Sequence, residues 1–137
     1  MFFLNLFKKN KKKTACCQST SVNETPKLSV IDQPPFVVLS IEKAKEIYQK
    51  SKNDYIWLDV RNHREWNNGH VPGAKHIPID DLETRLPEVG PKDKKYIVYC
   101  HAGGRSTAAC ELLSEKGYNF LFNMTGGMGE WNGPLEP

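Results

Sequence analysis

No Cys-x-x-Cys pair occurs in this chain; its four cysteines are an adjacent couple, Cys16 and Cys17, and two separated residues, Cys100 and Cys110. That spacing excludes the usual zinc frameworks, which need closely spaced ligand pairs, and it suits no disulfide scaffold. His70 and His76 are parted by Pro72 and Gly73, so they share no helix face on which a metal could sit. No metal and no organic cofactor is expected, and the cysteine usage fits a reducing, cytoplasmic setting with at least one working thiol. Long apolar runs are also lacking. The stretch from Phe2 to Phe7 is too short for a signal segment, and its lysines follow it instead of preceding it. It falls far short of a membrane span.

Charge of one sign is scarce outside the N-terminal segment. The formal net charge is +3, yet the chain up to Lys27 holds six lysines and one glutamate, leaving 13 basic and 15 acidic residues beyond it. That remainder is close to neutral and offers no basic face for nucleic acid. Residues 1–35 read as a disordered basic tail and linker, Lys-rich first and then rich in Ser, Thr, Asn and Pro. The expectation is a solvated tail. The alternative is a weak membrane-surface contact, with Phe2, Phe3, Leu4, Leu6 and Phe7 entering lipid while lysines meet anionic head groups.

What is present begins at Phe36, and residues 36–137 read as one domain. Short apolar runs recur at Phe36–Leu39, Tyr55–Leu58, Ile97–Tyr99 and Phe120–Phe122. Between them lie a helix whose Ile41, Ala44, Ile47 and Tyr48 form one stripe, a short helix about Arg64–Trp66, one near Asp80–Leu86 and one from Ser106 to Lys116. All-apolar strands alternating with helices predict an α/β fold whose parallel sheet carries helices on both faces. Ligands in such folds sit beyond the carboxyl ends of the strands. Asp59 and Cys100 both occupy that kind of position.

After Tyr99 the chain reads Cys100-His101-Ala102-Gly103-Gly104-Arg105-Ser106 and enters a helix. Small residues and two glycines let successive peptide N–H groups turn inward as an anion-binding nest. The helix N-terminus adds its positive end, and Arg105 a permanent charge. A thiol in that field has a depressed pKa, and the same amides would cradle the outer sulfur of a persulfide. Against this stands an ordinary reading, in which a cysteine ending a strand is a small buried hydrophobe. The combination with Gly-Gly and Arg favours a reactive residue.

Three segments, LDVRNHREWNNGHVPGAKHIP, YCHAGGRS and TGGMGEW, resemble the signatures of rhodaneses, in the family's order and spanning about Phe36 to the C-terminus. The resemblance implies a rhodanese-like parallel sheet of about five strands with helices on both faces. It also implies a sulfurtransferase with Cys100 as nucleophile and Arg105 orienting an anionic donor or locking the loop. His101, Ala102, Gly103, Gly104 and Ser106 would form the persulfide cradle. Asp59, Arg61 and Glu65 match the first signature and are expected to act behind the loop: Asp59 by ordering it, pairing with a nearby arginine or capping the short helix that follows, and Arg61 and Glu65 as an internal ion pair. The related phosphatases use one residue more between Cys and Arg, so the C-x4-R spacing here points to sulfur.

The implied reaction is double displacement: Cys100 takes sulfane sulfur from thiosulfate or a persulfide and yields it to cyanide or a thiol, with glutathione and thioredoxin as candidates. A non-catalytic rhodanese-like binding or sensing module is the alternative, and a small phosphatase or arsenate-reducing enzyme a third. His70 is expected to be a structural hydrogen-bonding residue, Trp131 core, Trp66 either core or pocket edge, and Cys110 buried core.

Overall fold

The computed structural model describes residues 35–137, which form one compact unit. The basic tail, Cys16, Cys17 and the expected lipid contact lie outside the described residues. Five strands, β1 (Val37–Leu39), β2 (Tyr55–Asp59), β3 (Lys75–His76), β4 (Lys95–Tyr99) and β5 (Leu121–Met124), form one sheet in the order β1-β5-β4-β2-β3. All pairings are parallel, with Asp59 beside Tyr99 and Val98 beside Asn123 in register.

The helices are α1 (Ile41–Ser51), α2 (His63–Asn67), α3 (Ile79–Leu82), α4 (Gly104–Glu115) and α5 (Gly127–Glu130). Ser40 caps α1, its hydroxyl accepting from the Lys43 amide at 3.1 Å. Asn62 caps α2 through a reciprocal box: its side chain accepts from the Glu65 amide, and the Glu65 carboxylate accepts from the Asn62 amide. The expected helix at Asp80–Leu86 is shorter than its pattern suggested. It stops at Leu82, and a separate 3-10 turn spans Leu86–Glu88, because Pro87 cannot continue an α-helical ladder.

Both faces of the sheet are covered, which explains why its strands are apolar without alternation. Along β4, Tyr96, Val98 and Cys100 join the cluster that includes Ala109, Cys110 and Leu113 of α4. Ile97 and Tyr99 point the other way, into a second cluster with Ile41, Ala44 and Ile47 of α1, Trp57 and Trp131. The two-residue period of the strand therefore delivers Cys100 to the face on which α4 begins. Among the described residues no helix is long and apolar enough to cross a membrane.

Candidate active site

Cys100 is the first residue past β4, and its sulfur is surrounded by the loop that follows it. The Gly103 amide donates to Sγ at 3.1 Å and the Ser106 amide at 3.4 Å, with the Ser106 hydroxyl 3.6 Å away. The loop closes because Gly103 has φ +106°, a left-handed conformation that other residues resist. A side chain there would also collide with the Thr125 carbonyl, 2.5 Å from the place its Cβ would occupy. Gly104 differs: it begins α4 with open space around it. Gly104 and Arg105 thus belong to the helix, which starts two residues earlier than its sequence pattern suggests.

Burial pushes the Cys100 thiol up, but the Ser106 amide and hydroxyl and the Gly103 and Ala102 amides outweigh it, leaving the pKa below the ordinary thiol value. Cys100 itself is only 1% exposed. The sulfur lies at the floor of the loop, so a reacting partner has to present a slim terminal atom. Cys110, one face of α4 away, is fully buried without such donors, and burial raises its thiol to about 12.

The loop is held on both sides. Met128 and Gly129 donate their amides to the carbonyls of Cys100 and His101 at 2.8 and 2.9 Å, so the TGGMGEW turn clamps the loop's first two residues. Deeper, the buried Ser106 hydroxyl donates to Asn123 Oδ1 at 2.6 Å, and Asn123 Nδ2 donates to Thr107 Oγ1 at 2.8 Å. Neither Asn123 nor Thr107 was anticipated. The available signal was a lone amide inside the apolar strand Leu121–Met124, since a polar side chain buried there needs partners.

Two guanidinium–carboxylate forks flank the loop. Arg61 engages Asp59 through Nε at 2.9 and 3.0 Å and Nη2 at 2.7 Å, and Nη2 also donates to the Gly69 carbonyl. Both partners are buried. Asp59 thus holds Arg61 instead of capping α2, whose cap is Asn62. Arg105 forks Glu65 at 2.7 and 2.9 Å. Arg61 and Glu65 are both ion-paired, but each to another residue. The Arg105 guanidinium, opposed by burial and aided by the Asn62 amide, holds the Glu65 carboxyl down to about 2. Arg105 is thereby tied to α2.

Beside the loop opens a cavity of about 390 Å³ lined by Arg61, Glu65, Asn68, His101, Met128 and Leu135. His101 sits on its wall, next in the chain to the thiol. Leu135 comes from the C-terminal strap, where Glu136 and His70 exchange both backbone hydrogen bonds at 2.9 Å. His70 is buried, donates Nδ1–H to the Trp66 carbonyl at 3.0 Å, and stacks on Trp66. Trp66 in turn stacks on His76, so it is a half-buried spacer and not a pocket wall. Trp131 is buried in the α1-side core. Among the described residues no cluster of His, Cys, Asp or Glu could hold a metal ion.

A family model described as Rhodanese-like domain matches residues 40–134. "Putative sulfur carrier protein YrkF" of Bacillus subtilis is 35% identical over 98 residues, covering 72% of this chain and 52% of that protein. This chain therefore spans about half the length of that relative. A "Sulfurtransferase" of Allochromatium vinosum is 35% identical over 78 residues, covering 57% of this chain and 72% of its own. A crystal structure of a rhodanese-like domain protein from Staphylococcus aureus superposes with a TM-score of 0.67 at 31% identity, covering 73% of this chain and 96% of that one. Longer proteins share the domain: a tRNA uridine(34) hydroxylase of Enterobacter is 33% identical over 110 residues, covering 74% of this chain but 32% of its own length.

Proposed function

The chain belongs to the rhodanese-like domain family, and on that premise we propose that it is a sulfurtransferase working through a persulfide on Cys100. The single observation that carries this reading is the ring of donors on Sγ, from Gly103 and Ser106, at the carboxyl end of a central strand. Those groups favour the thiolate, which is the nucleophile, and they lie in wait for an anionic outer sulfur.

In the first half-reaction the Cys100 thiolate attacks the outer sulfur of thiosulfate. The Sγ–S bond forms, the donor's S–S bond breaks, and the electron pair departs on sulfite. In the second half-reaction an acceptor thiolate such as glutathione or thioredoxin, or cyanide, attacks that outer sulfur and Cys100 leaves as thiolate. The reading invokes no general base, because the amides shift Cys100 toward the thiolate. Arg105 positions the loop through Glu65, and Asp59 positions Arg61 behind it. The protein should release sulfite from thiosulfate when cyanide or a thiol is supplied, and Cys100→Ser should lose that turnover. Full turnover in Cys100→Ser defeats the assignment.

The 1% exposure of Cys100 favours one further reading, a binding or sensing module that keeps the loop without turnover. The same assay separates the two: a module of that kind releases no sulfite with any acceptor.

A further inference from the structure

The polar side chains beneath the loop form a hydrogen-bonded chain whose direction follows from counting protons. The Gly103 carbonyl can only accept, and it takes the Thr107 amide at 3.0 Å and the Thr107 hydroxyl at 2.7 Å, which fills both of its lone pairs. The one Thr107 hydroxyl proton is thereby spent. Thr107 Oγ1 meets Asn123 as an acceptor, and the atom 2.8 Å from it is the donor Nδ2. That fixes the other end of the amide: Oδ1 faces Ser106 and takes its only hydroxyl proton at 2.6 Å. Ser106 Oγ therefore turns a lone pair, and no proton, toward Cys100 Sγ at 3.6 Å. A thiol S–H can donate to that lone pair. A thiolate draws the hydroxyl proton to itself only at the cost of the Asn123 hydrogen bond, while the Gly103 and Ser106 amides donate to the sulfur in both states.

We propose that Asn123 is a positioning residue for Cys100, restraining formation of the thiolate by holding the Ser106 hydroxyl proton away from the sulfur. The side chain arrives there because β5 sends Leu121 and Asn123 to the α4 face, beside Val98 and Cys100 of the neighbouring strand. It is 1% exposed in an otherwise apolar strand, so its polar atoms have to be satisfied within this chain. The titratable and charged groups about the loop are Arg105 forked with Glu65 of α2, Arg61 forked with Asp59 at the end of β2, His101 in the loop, Cys110 in α4 and Glu130 in α5. Asn123 acts on the sulfur through Ser106 instead. Its use in catalysis rests on the sulfurtransferase reading above: a thiolate loses nucleophilicity as it is stabilised, and Cys100 has to attack before it leaves.

The test follows alkylation of Cys100 by iodoacetamide against pH in the full chain, read by peptide mapping. The proteins are the wild type, Asn123→Leu, Asn123→Asp, Ser106→Ala and the double variant of Asn123→Leu with Ser106→Ala. Leucine fills the volume of Asn123 but offers no acceptor, and the Gly103 carbonyl is already filled, so the Ser106 proton passes to the sulfur. The Cys100 midpoint should fall by about one pH unit, a gain of about tenfold in thiolate below it, the scale of a hydrogen bond to a charged group. The rate on the high-pH plateau should fall by about threefold, because a better-held thiolate attacks more weakly. Aspartate keeps an oxygen acceptor toward Ser106 whether or not it is protonated, so its midpoint should stay or rise. Without the Ser106 hydroxyl, leucine should shift nothing. Continued protection of Cys110 reports an intact core, and if leucine exposes Cys110, Asn123→Ala carries the same expectation. A midpoint that stays or rises when the acceptor is removed, falls as far in Asn123→Asp, or falls without the Ser106 hydroxyl overturns the proposal. Sulfite release from thiosulfate by the wild type is a separate measurement: its absence with every acceptor defeats the sulfurtransferase reading, and alkylation still decides the role of Asn123.

Discussion

Two adjacent glycines in the loop should respond oppositely to alanine. Gly103 sits at φ +106°, and an added Cβ would lie 2.5 Å from the Thr125 carbonyl oxygen, a backbone atom that cannot swing aside. The left-handed conformation costs a non-glycine residue about 1–2 kcal/mol, and overpacking a rigid neighbour adds about 1–3 kcal/mol. Gly103→Ala should therefore lose about 2–5 kcal/mol, a large share of the roughly 5–15 kcal/mol that a small domain has in total. Its own amide donates to Cys100 Sγ and its carbonyl accepts from the Thr107 hydroxyl, so the loop would deform where it holds the sulfur. Gly104 has ordinary helical geometry with nothing within 4 Å of an added Cβ. Gly104→Ala should be neutral or stabilising by up to about 1 kcal/mol, because alanine is the better helix former. Urea unfolding of the two variants beside the wild type measures both effects. Gly103→Ala within about 0.5 kcal/mol of the wild type, or Gly104→Ala the more damaged, refutes the reasoning.

Asp59→Asn should cost about 3–5 kcal/mol in the same unfolding experiment, because it strands the buried Arg61 charge; a loss below 1 kcal/mol shows the fork to be dispensable. The Glu65 carboxyl is held at about 2 against an ordinary 4.5, so its contribution is fully present above about pH 4.5 and is lost as pH falls toward 2. Glu65→Gln should accordingly flatten the acid limb of the stability–pH curve over that window, with little change in its slope between pH 6 and 8. Iodoacetamide at neutral pH, followed by peptide mapping, should modify Cys100 in the folded protein and spare Cys110, whose thiol is pushed up to about 12. Labelling of Cys110 at the rate of Cys100 contradicts the contrast drawn between them.

The sheet and the position of Cys100 at the end of a strand were readable because each depends on local pattern. The apolar runs around Trp57 and Ile97, with helices between them, specify strands buried on both faces, and the two-residue period then sends Cys100 toward α4. The rest depends on contacts far apart in the chain. Glu65 and Arg105 are 40 residues apart, and nothing in either segment says that Arg105 would fork Glu65 while Arg61 turned to Asp59. β3 is two residues long at the sheet's edge, too short for any periodicity to mark. The strap that brings Leu135 to the cavity is a single antiparallel bridge between His70 and Glu136, formed by backbone groups that every residue shares. Asn123 was legible in principle, as the one amide in an apolar strand, but its partners Ser106 and Thr107 were not.

The central claim concerns a sulfur atom carried on one side chain, and intact-protein and peptide mass spectrometry reads it directly. Brief treatment of the full chain with a sulfane donor, followed by removal of excess reagent, should add about 32 Da to the peptide containing Cys100. That mass should disappear on adding a thiol acceptor and never arise in Cys100→Ser. A wild-type Cys100 that stays at its unmodified mass with thiosulfate and glutathione persulfide alike contradicts the account.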